Sequence, residues 1–390
     1  MLQRLKKAIP ASWFQLYHRL LSKIAAFWYG HPSEELIVIG VTGTNGKTTT
    51  SYLIAKALEA SGYPTGCTTT ALFKIGEREW LNDTKMTMLG RFQLQKLLRQ
   101  MVREGCRYVV VETSSQGVVQ NRHADINYDI PVFTNLTPEH IESHGGFENY
   151  KQAKLELFRH VARSPRKMLF GTRLQKTAVL NIESEHAADF ALANFDQVVW
   201  YGVGGAVAKS NALQAQQIEA LADGTRCVVD GHPLYLRLPG IVNVENALAA
   251  LAVCRVLGVS LSDAVTKLEG IKNVPGRFER IEEGQSWQVI IDYAVEPAAM
   301  AKLYETLATI PHQRILHVFG SCGGGRDVAR RPLLGRLAGE KADIVIVTNE
   351  DPYDDDPRVI MEQIADGARQ VGKREGESLF IIEDRREAIF

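Results

Sequence analysis

The stretch VIGVTGTNGKTTT, Val38 to Thr50, decides how the chain is read. The apolar run Leu36 to Ile39 predicts a buried strand, and the residues after Lys47 predict a helix. Between them lies a glycine-rich turn whose backbone N–H groups and helix N-terminus suit a phosphate. The usual spacing G-x-x-x-x-G-K-[ST] asks for a glycine where Val41 stands; the glycines are Gly40, Gly43 and Gly46. With Gly-Lys-Thr-Thr intact, Lys47 is expected to reach the β- and γ-phosphates and the Thr48 hydroxyl to bind Mg²⁺. The plainer alternative is an ordinary strand-to-helix turn.

Composition narrows the classes. The chain has 390 residues, enough for two or three domains. Its 45 basic and 45 acidic residues cancel, so no overall field favours nucleic acid. Five cysteines (Cys67, Cys106, Cys227, Cys254, Cys322) form no C-x-x-C pair, which excludes a zinc ribbon and points to a reducing cytoplasm. No run reaches membrane-spanning length, and no signal peptide is legible. The first 33 residues stand apart, with Arg4, Lys6, Lys7, Arg19 and Lys23, no acid, and interleaved Trp, Phe, Tyr and Leu. They predict a basic amphipathic helix within residues 1–35. It either packs on the next domain with a solvated basic face or makes peripheral contact with a membrane surface.

From Leu36 onward apolar strands alternate with helical patterns: RYVVVE (107–112), PVFTN (131–135), TAVLN (177–181) and QVVWY (197–201). The alternation predicts a doubly wound, mostly parallel α/β sheet over residues 36–273. Residues 225–240 predict a β-hairpin about Asp230-Gly231, followed by helices at 244–257 and 261–268. A second α/β series follows Pro275-Gly276, with strands WQVIID (287–292), RILHVFG (314–320), ADIVIVTNE (342–350) and LFIIED (379–384). A boundary near 274 thus separates a central domain from a Rossmann-like domain over 274–390.

Glu112 ends a predicted strand on the crevice edge of such a sheet, where a carboxylate suits a Mg²⁺ shared with Thr48. A cap or salt bridge is the alternative. In TNLTPEHIESHGGFENYKQAK (134–154), His140 reads equally as a metal ligand or a helix cap.

The segments GVTGTNGKTTT, VVVETSSQGVVQNR, TNLTPEHIESHGGFENYKQAK, LPGIVNVENALAA, PGRFE, IDYA and GSCGGGRD, in this order, resemble the Mur ligases of peptidoglycan synthesis. The resemblance is greatest to the MurE type, which adds the third amino acid to UDP-N-acetylmuramoyl-dipeptide. It spans roughly residues 36 to 390 and accounts for the unusual glycine spacing. The resemblance implies an ATP-dependent, ADP-forming amide ligase working through an acyl phosphate. Gly43, Thr44, Asn45, Gly46, Lys47, Thr48 and Thr49 would bind the ATP phosphates, with Asn246, Arg277 and Asp292 on the nucleotide side. Thr48, Glu112, His140 and Lys154 would bind two Mg²⁺ ions, Lys154 matching a lysine that the family carbamylates. Lys47, His140 and Lys154 would be the catalytic residues. Thr87, Ser114, Gln120 and Arg122 would contact a muramoyl-peptide acceptor, and Arg326 the carboxylate of the incoming amino acid.

Departures from the family pattern carry their own expectations. MurE-type enzymes begin with a uridine-binding domain, whereas here a short basic helix precedes the loop. The chain ends at Phe390, before an expected G-K-G-x-E segment, so the last domain reads as incomplete. Gln116 and Val295 replace family histidines. The diaminopimelate signature D-N-P-R is Glu350-Asp351-Pro352-Tyr353, which removes the arginine for a second carboxylate and favours a lysine-like amino acid. Two rival functions are an amide-polymer ligase of cyanophycin, polyglutamate or folylpolyglutamate type, and a non-catalytic ATP-binding partner protein.

Overall fold

The computed structural model describes residues 11–84, 86–138, 144–204, 212–324 and 328–390. The chain forms two compact units. Unit 1 comprises Met1–Thr137, Lys151–Ala220 and Gly224–Ile290; unit 2 comprises Pro138–Tyr150, Leu221–Asp223 and Ile291–Phe390. The chain thus changes unit at Ile290 and Ile291. At Pro275-Gly276, where the sequence suggests its boundary, Val274 and Arg277 form an isolated antiparallel bridge.

Unit 1 is built on strand β1 (Ile37–Thr42), whose six residues are all buried. Strands β2 (Thr65–Thr68), β3 (Leu72–Ile75) and β4 (Arg78–Leu81) follow, then β5 (Tyr108–Glu112) and β6 (Ile130–Phe133). A small ribbon of β7 (Met168–Leu169) and β8 (Thr172–Arg173) precedes β9 (Thr177–Asn181) and β10 (Gln197–Gly202). The last three are β11 (Leu213–Leu221), β12 (Gly224–Val229) and β13 (His232–Leu236). The eleven-stranded sheet runs β13-β12-β11-β10-β9-β6-β1-β5-β2-β3-β4. Its centre is parallel: Ile39 lies opposite Val110 of β5 on one side and Ile130 of β6 on the other. Strands buried on both faces read as continuous apolar runs, which is why β1, β5, β9 and β10 are visible in the sequence. The chain moves from β1 toward β2 on one side and later through β6 to β9 and β10 on the other. That reversal opens a crevice at the carboxyl ends of β1, β5 and β6.

The edge strand β4 pairs antiparallel with its neighbour β3; β4 mixes charged with apolar residues and β3 is only four residues long, so neither stands out as an apolar run. Their one buried lysine, Lys74, is held by Glu59 at 2.7 Å and Glu79 at 3.3 Å. The hairpin of β12 and β13 closes on Asp230 and Gly231, both at positive φ (46° and 80°), as a two-residue turn of matching twist requires.

Helix α1 (Ala11–Trp28) packs on the helix over Arg91–Arg103 through its small residues Ser22, Ala25 and Ala26. The Arg99 guanidinium donates to the carbonyls of Tyr29 and Gly30, each at 2.7 Å, and so holds the C-terminal end of α1. Helix α2 (Lys47–Leu58) is buried nearly all round, and so is Ile241–Val256; the two pack together behind the sheet.

In unit 2, β16 (Leu316–Phe319), β17 (Ile344–Val347) and β18 (Leu379–Ile381) form a parallel sheet flanked by Arg330–Lys341 and Pro357–Gln370. The segment expected to begin this series behaves differently. Only Val289–Ile291 is a strand (β15), and it pairs with β14 (Glu279–Ile281), not with β16. Val289 and Ile291 are exposed, so among the described residues no second layer buries the apolar alternation that suggested a core strand.

Beneath β1, at the edge away from the crevice, Asp129 joins two buried lysines: Lys167 at 2.5 Å and Lys176 at 3.0 Å. Its Oδ2 also accepts the Val38 N–H at 2.9 Å. Burial lowers the pKa of both lysines, and Asp129 pulls each back up. Removing the one carboxylate strands two cations in the interior. Asp129→Ala is expected to cost roughly 3–5 kcal/mol. Urea unfolding measures it, and an unchanged midpoint would show the cluster to be energetically neutral.

Candidate active site

The loop from Gly43 to Gly46 is fixed by the chain that leaves β6. Thr44 N–H donates to the Asn135 carbonyl at 2.9 Å, and Asn45 N–H donates to Asn135 Oδ1 at 2.9 Å. The Thr134 hydroxyl returns a bond to the Asn45 carbonyl at 2.7 Å, and Thr137 N–H donates to Thr44 Oγ1 at 3.0 Å. A side chain on Gly43 would run into the Thr134 hydroxyl and the Asn135 backbone. One on Gly46, which has φ of 80°, would meet Asn246 Oδ1 at 2.6 Å. Both glycines are therefore set by close approach as well as by φ. Gly46 is also the residue from which α2 begins, so the helix opens with free N–H groups toward the crevice.

Lys47 donates from Nζ to the Thr44 carbonyl at 2.6 Å. The Thr48 hydroxyl donates to Glu112 Oε2 at 3.0 Å and accepts from Arg277 Nη2 at 3.1 Å. Glu112 also accepts the Thr70 N–H at 2.7 Å and the Thr70 hydroxyl at 3.0 Å. Thr70 Oγ1 also lies 2.9 Å from Thr87 Oγ1, whose hydroxyl is free to donate to it. Asn246 accepts from Thr50 Oγ1 at 2.9 Å, joining the Ile241–Val256 helix to α2. Lys154, only 1% exposed on the helix Phe147–Arg163, donates to the Gly43 carbonyl at 2.6 Å. Thr49 is buried in the first turn of α2. The structure thus gathers Gly43 to Thr49, Thr87, Glu112, Lys154, Asn246 and Arg277 about one loop.

Beyond Glu112, Ser114 caps the short helix Ser115–Val119, its Oγ accepting Gly117 N–H at 3.1 Å. Arg122 grips Gln120 Oε1 through Nε (3.0 Å) and Nη2 (2.7 Å), and its Nη1 donates to the Met88 carbonyl. The Gln120 carbonyl accepts from Arg91. Burial lowers the pKa of both guanidinium groups, and Arg122 lowers that of Arg91 further. Gln120, Arg122 and Arg91 thus form one cationic cluster, with Ser114 at the start of the same turn.

In unit 2, Glu350, Asp351 and Tyr353 lie on the loop after β17, beside the glycine loop after β16. The Asp351 carbonyl accepts Gly323 N–H at 2.8 Å, and Asp355 accepts Gly324 N–H at 3.0 Å. Tyr353 takes a positive φ of 53° and is exposed. Asp292 lies in unit 2, just after β15. His140 and Arg326 fall outside the described residues.

Sequence reading missed Thr70, Asn135 and Arg91. Thr70 follows a strand too short and polar to be noticed, and Asn135 acts by bonding the loop through both its carbonyl and its side-chain amide, which nothing in its local pattern announces. Arg91 opens an amphipathic helix whose burial at Leu94, Leu97, Leu98 and Met101 gives a reason for its presence without any function.

The arrangement suits a nucleotide triphosphate with a hard cation. A glycine cradle with no room for a Cβ faces a helix N-terminus, a lysine sits at the loop, and Thr48 and Glu112 bring two oxygen donors 3.0 Å apart.

Comparison with known proteins agrees with this geometry. Residues 41–254 match the model of the Mur ligase middle domain, and residues 276–390 that of the Mur ligase, glutamate ligase domain. The chain is 41% identical over 383 residues to the UDP-N-acetylmuramyl-tripeptide synthetase of Roseiflexus sp. (strain RS-1), covering 95% of this chain and 73% of that one. It is 34% identical over 390 residues to the UDP-N-acetylmuramoyl-L-alanyl-D-glutamate–2,6-diaminopimelate ligase of Halalkalibacterium halodurans, covering 99% and 76%. A solved structure of a ligase with that same name superimposes with a TM-score of 0.59 at 29% identity, over 91% of this chain and 69% of that one. The chain belongs to the Mur ligase family of ATP-dependent ligases.

Proposed function

We propose that the protein joins an amino acid to the terminal carboxylate of a muramoyl-peptide acceptor, at the cost of ATP, in peptidoglycan precursor synthesis. The observation that carries this reading is the meeting of Thr48 and Glu112 at the mouth of the Gly43–Gly46 loop, with Lys47 at the same loop. ATP supplies the phosphoryl group that activates the acceptor carboxylate as an acyl phosphate. Lys47, the loop N–H groups and the α2 N-terminus hold the phosphates and offset their charge. Thr48 and Glu112, together with His140, are the residues to hold Mg²⁺, and Asn246 and Arg277 lie on the nucleotide side. Ser114, Gln120, Arg122 and Thr87 orient the acceptor. In unit 2, Arg326 is assigned to the amino-acid carboxylate, and Glu350, Asp351 and Tyr353 to its side chain. The place of action is the cytoplasm, with the N-terminal helix as the segment for peripheral membrane contact. Domain limits of 1–35, 36–273 and 274–390 belong to the same proposal. The direct test is phosphate release from ATP with UDP-N-acetylmuramoyl-dipeptide and each of the twenty amino acids or diaminopimelate. Release that needs a polyglutamate or folate acceptor instead, or needs no acceptor, would sink it.

Lys47→Ala is expected to lower turnover by about 10³-fold or more, as for other deleted charge stabilisers. Near-normal turnover would remove Lys47 from the phosphate site.

Lys154 is proposed to be a carbamate in the active enzyme. A neutral amine adds to CO₂, losing a proton and gaining a carboxylate that serves as an oxygen ligand for a second Mg²⁺. Protein equilibrated with ¹³C-bicarbonate is expected to show one carbamate carbon signal absent from Lys154→Ala, and short carboxylates are expected to restore part of that variant's activity. A spectrum identical for the two proteins rejects the modification.

Lysine or another diamino acid with a free terminal amine is expected to be preferred over meso-diaminopimelate. Tyr353 offers no cation to a second carboxylate, and Glu350 and Asp351 would repel one. A buried carboxylate lacking a cationic or hydrogen-bonding partner costs several kcal/mol. Specificity constants measured side by side decide the matter, and a clear preference for diaminopimelate overturns the assignment.

A further inference from the structure

An ordinary surface helix turns its large apolar residues inward and its polar ones outward. Helix α1 does the reverse. At 3.6 residues per turn, Trp13, Tyr17, Leu20, Ile24, Phe27 and Trp28 fall within roughly 120° of arc on one face. These residues point into solvent: Trp13 is 69%, Phe27 77% and Trp28 74% exposed. The opposite face, Ser22, Ala25 and Ala26, is the one that packs on the body of unit 1. Small residues anchoring a helix while its aromatics face outward leave an apolar ridge with no layer of the described residues over it.

Charge selects the occupant. Arg19 and Lys23 lie exposed along one flank of the ridge, and Arg4, Lys6 and Lys7 precede it, so the first 33 residues carry five cations and no acid. Tryptophan and tyrosine favour the boundary between hydrocarbon and headgroups, and arginine and lysine are drawn to anionic lipids. No described helix is long and apolar enough to cross a bilayer. A self-association surface would set this one-signed charge against its own copy.

We propose that the outward face of α1 lies on an anionic lipid surface, with Trp13, Phe27 and Trp28 in the interface and Arg19 and Lys23 on headgroup phosphates. This deepens the membrane contact in the proposed function and is independent of the ligase chemistry. The inward side of the helix adjoins the acceptor cluster. Burial, then Arg91 and Arg122, lower the pKa of His18 on α1.

The full chain is mixed with vesicles of phosphatidylcholine alone or with added phosphatidylglycerol and sedimented, with tryptophan emission recorded in parallel. Binding is expected only with phosphatidylglycerol, with a blue shift, and is expected to weaken as salt rises. Arg19→Gln with Lys23→Gln is expected to weaken binding on the order of 30-fold, each lost charge weakening attachment about fivefold. Phe27→Glu with Trp28→Glu is expected to abolish the blue shift. These side chains face away from the core, so thermal unfolding and ATP hydrolysis are expected to stay unchanged, while Lys47→Ala keeps vesicle binding. Absence of binding, equal binding to both vesicles, or retained binding by the variants overturns the proposal. So does a dimer in light scattering that the Phe27→Glu, Trp28→Glu variant dissolves, since the ridge is then a protein interface.

Discussion

The backbone of Gly43 to Gly46 is pressed against residues 134–137 with no space for a side chain at either glycine. Everything at the site follows from that contact. It stops β1 abruptly, turns the chain, and starts α2 at Lys47 with its N–H groups toward the crevice. Because the turn is bonded on both sides to the exit of β6, the loop has little freedom to adapt to a ligand. The cost of ordering it is met on folding, not on binding, which is what preorganisation means for a phosphate site. The core beneath serves the same end. Helix α2 and the Ile241–Val256 helix are buried nearly all round and lock together, and Asn246 reaches from the second to Gly46 and Thr50. Packing and site geometry are here one arrangement.

How much of this was legible depended on where each residue keeps its neighbours. Strands buried on both faces advertise themselves, and β1, β5, β9 and β10 fall where the apolar runs place them. The glycine loop was legible because its residue types have few other uses together. Thr70 was not, because its role comes from a partner, Glu112, forty-two residues away and on another strand. Lys74 hides for a related reason: a lysine in a short strand one place in from the sheet edge reads as solvent-exposed until the carboxylates that bury it are in place. The segment at 287–292 misled in the opposite direction. Its alternation is that of a half-buried strand, but among the described strands its one partner is β14, and Val289 and Ile291 stay exposed. Local pattern reports what a segment is able to bury, and only the fold reports what arrives to bury it.

The N-terminal helix makes the same point about faces. Its composition showed a basic amphipathic helix, and both readings of it assumed that the apolar side would find a partner. The body of unit 1 takes the alanine and serine side instead, through contacts with the Arg91–Arg103 helix and the Arg99 clamp on Tyr29 and Gly30. No sequence pattern distinguishes which of two faces will be chosen when small residues allow close approach on one and large ones offer more area on the other.

Buried cations recur in unit 1, and the way each is satisfied separates support from chemistry. Lys167 and Lys176 share Asp129 and reach backbone carbonyls, a closed cluster far from the crevice edge. Lys47 ends a half-buried chain on the Thr44 carbonyl, a partner it can leave when a phosphate offers more charge at similar distance. Lys154 differs from both. Its nitrogen is buried against the Gly43 carbonyl, so it cannot swing away without leaving that loop carbonyl short of a donor. A carbamate resolves the conflict, because the modified nitrogen keeps one N–H for Gly43 while the new carboxylate extends beyond it. The bond that fixes the loop and the oxygen ligand proposed for a metal are then carried by a single side chain. On this argument the burial of Lys154 is a reason to expect its modification and not an obstacle to it.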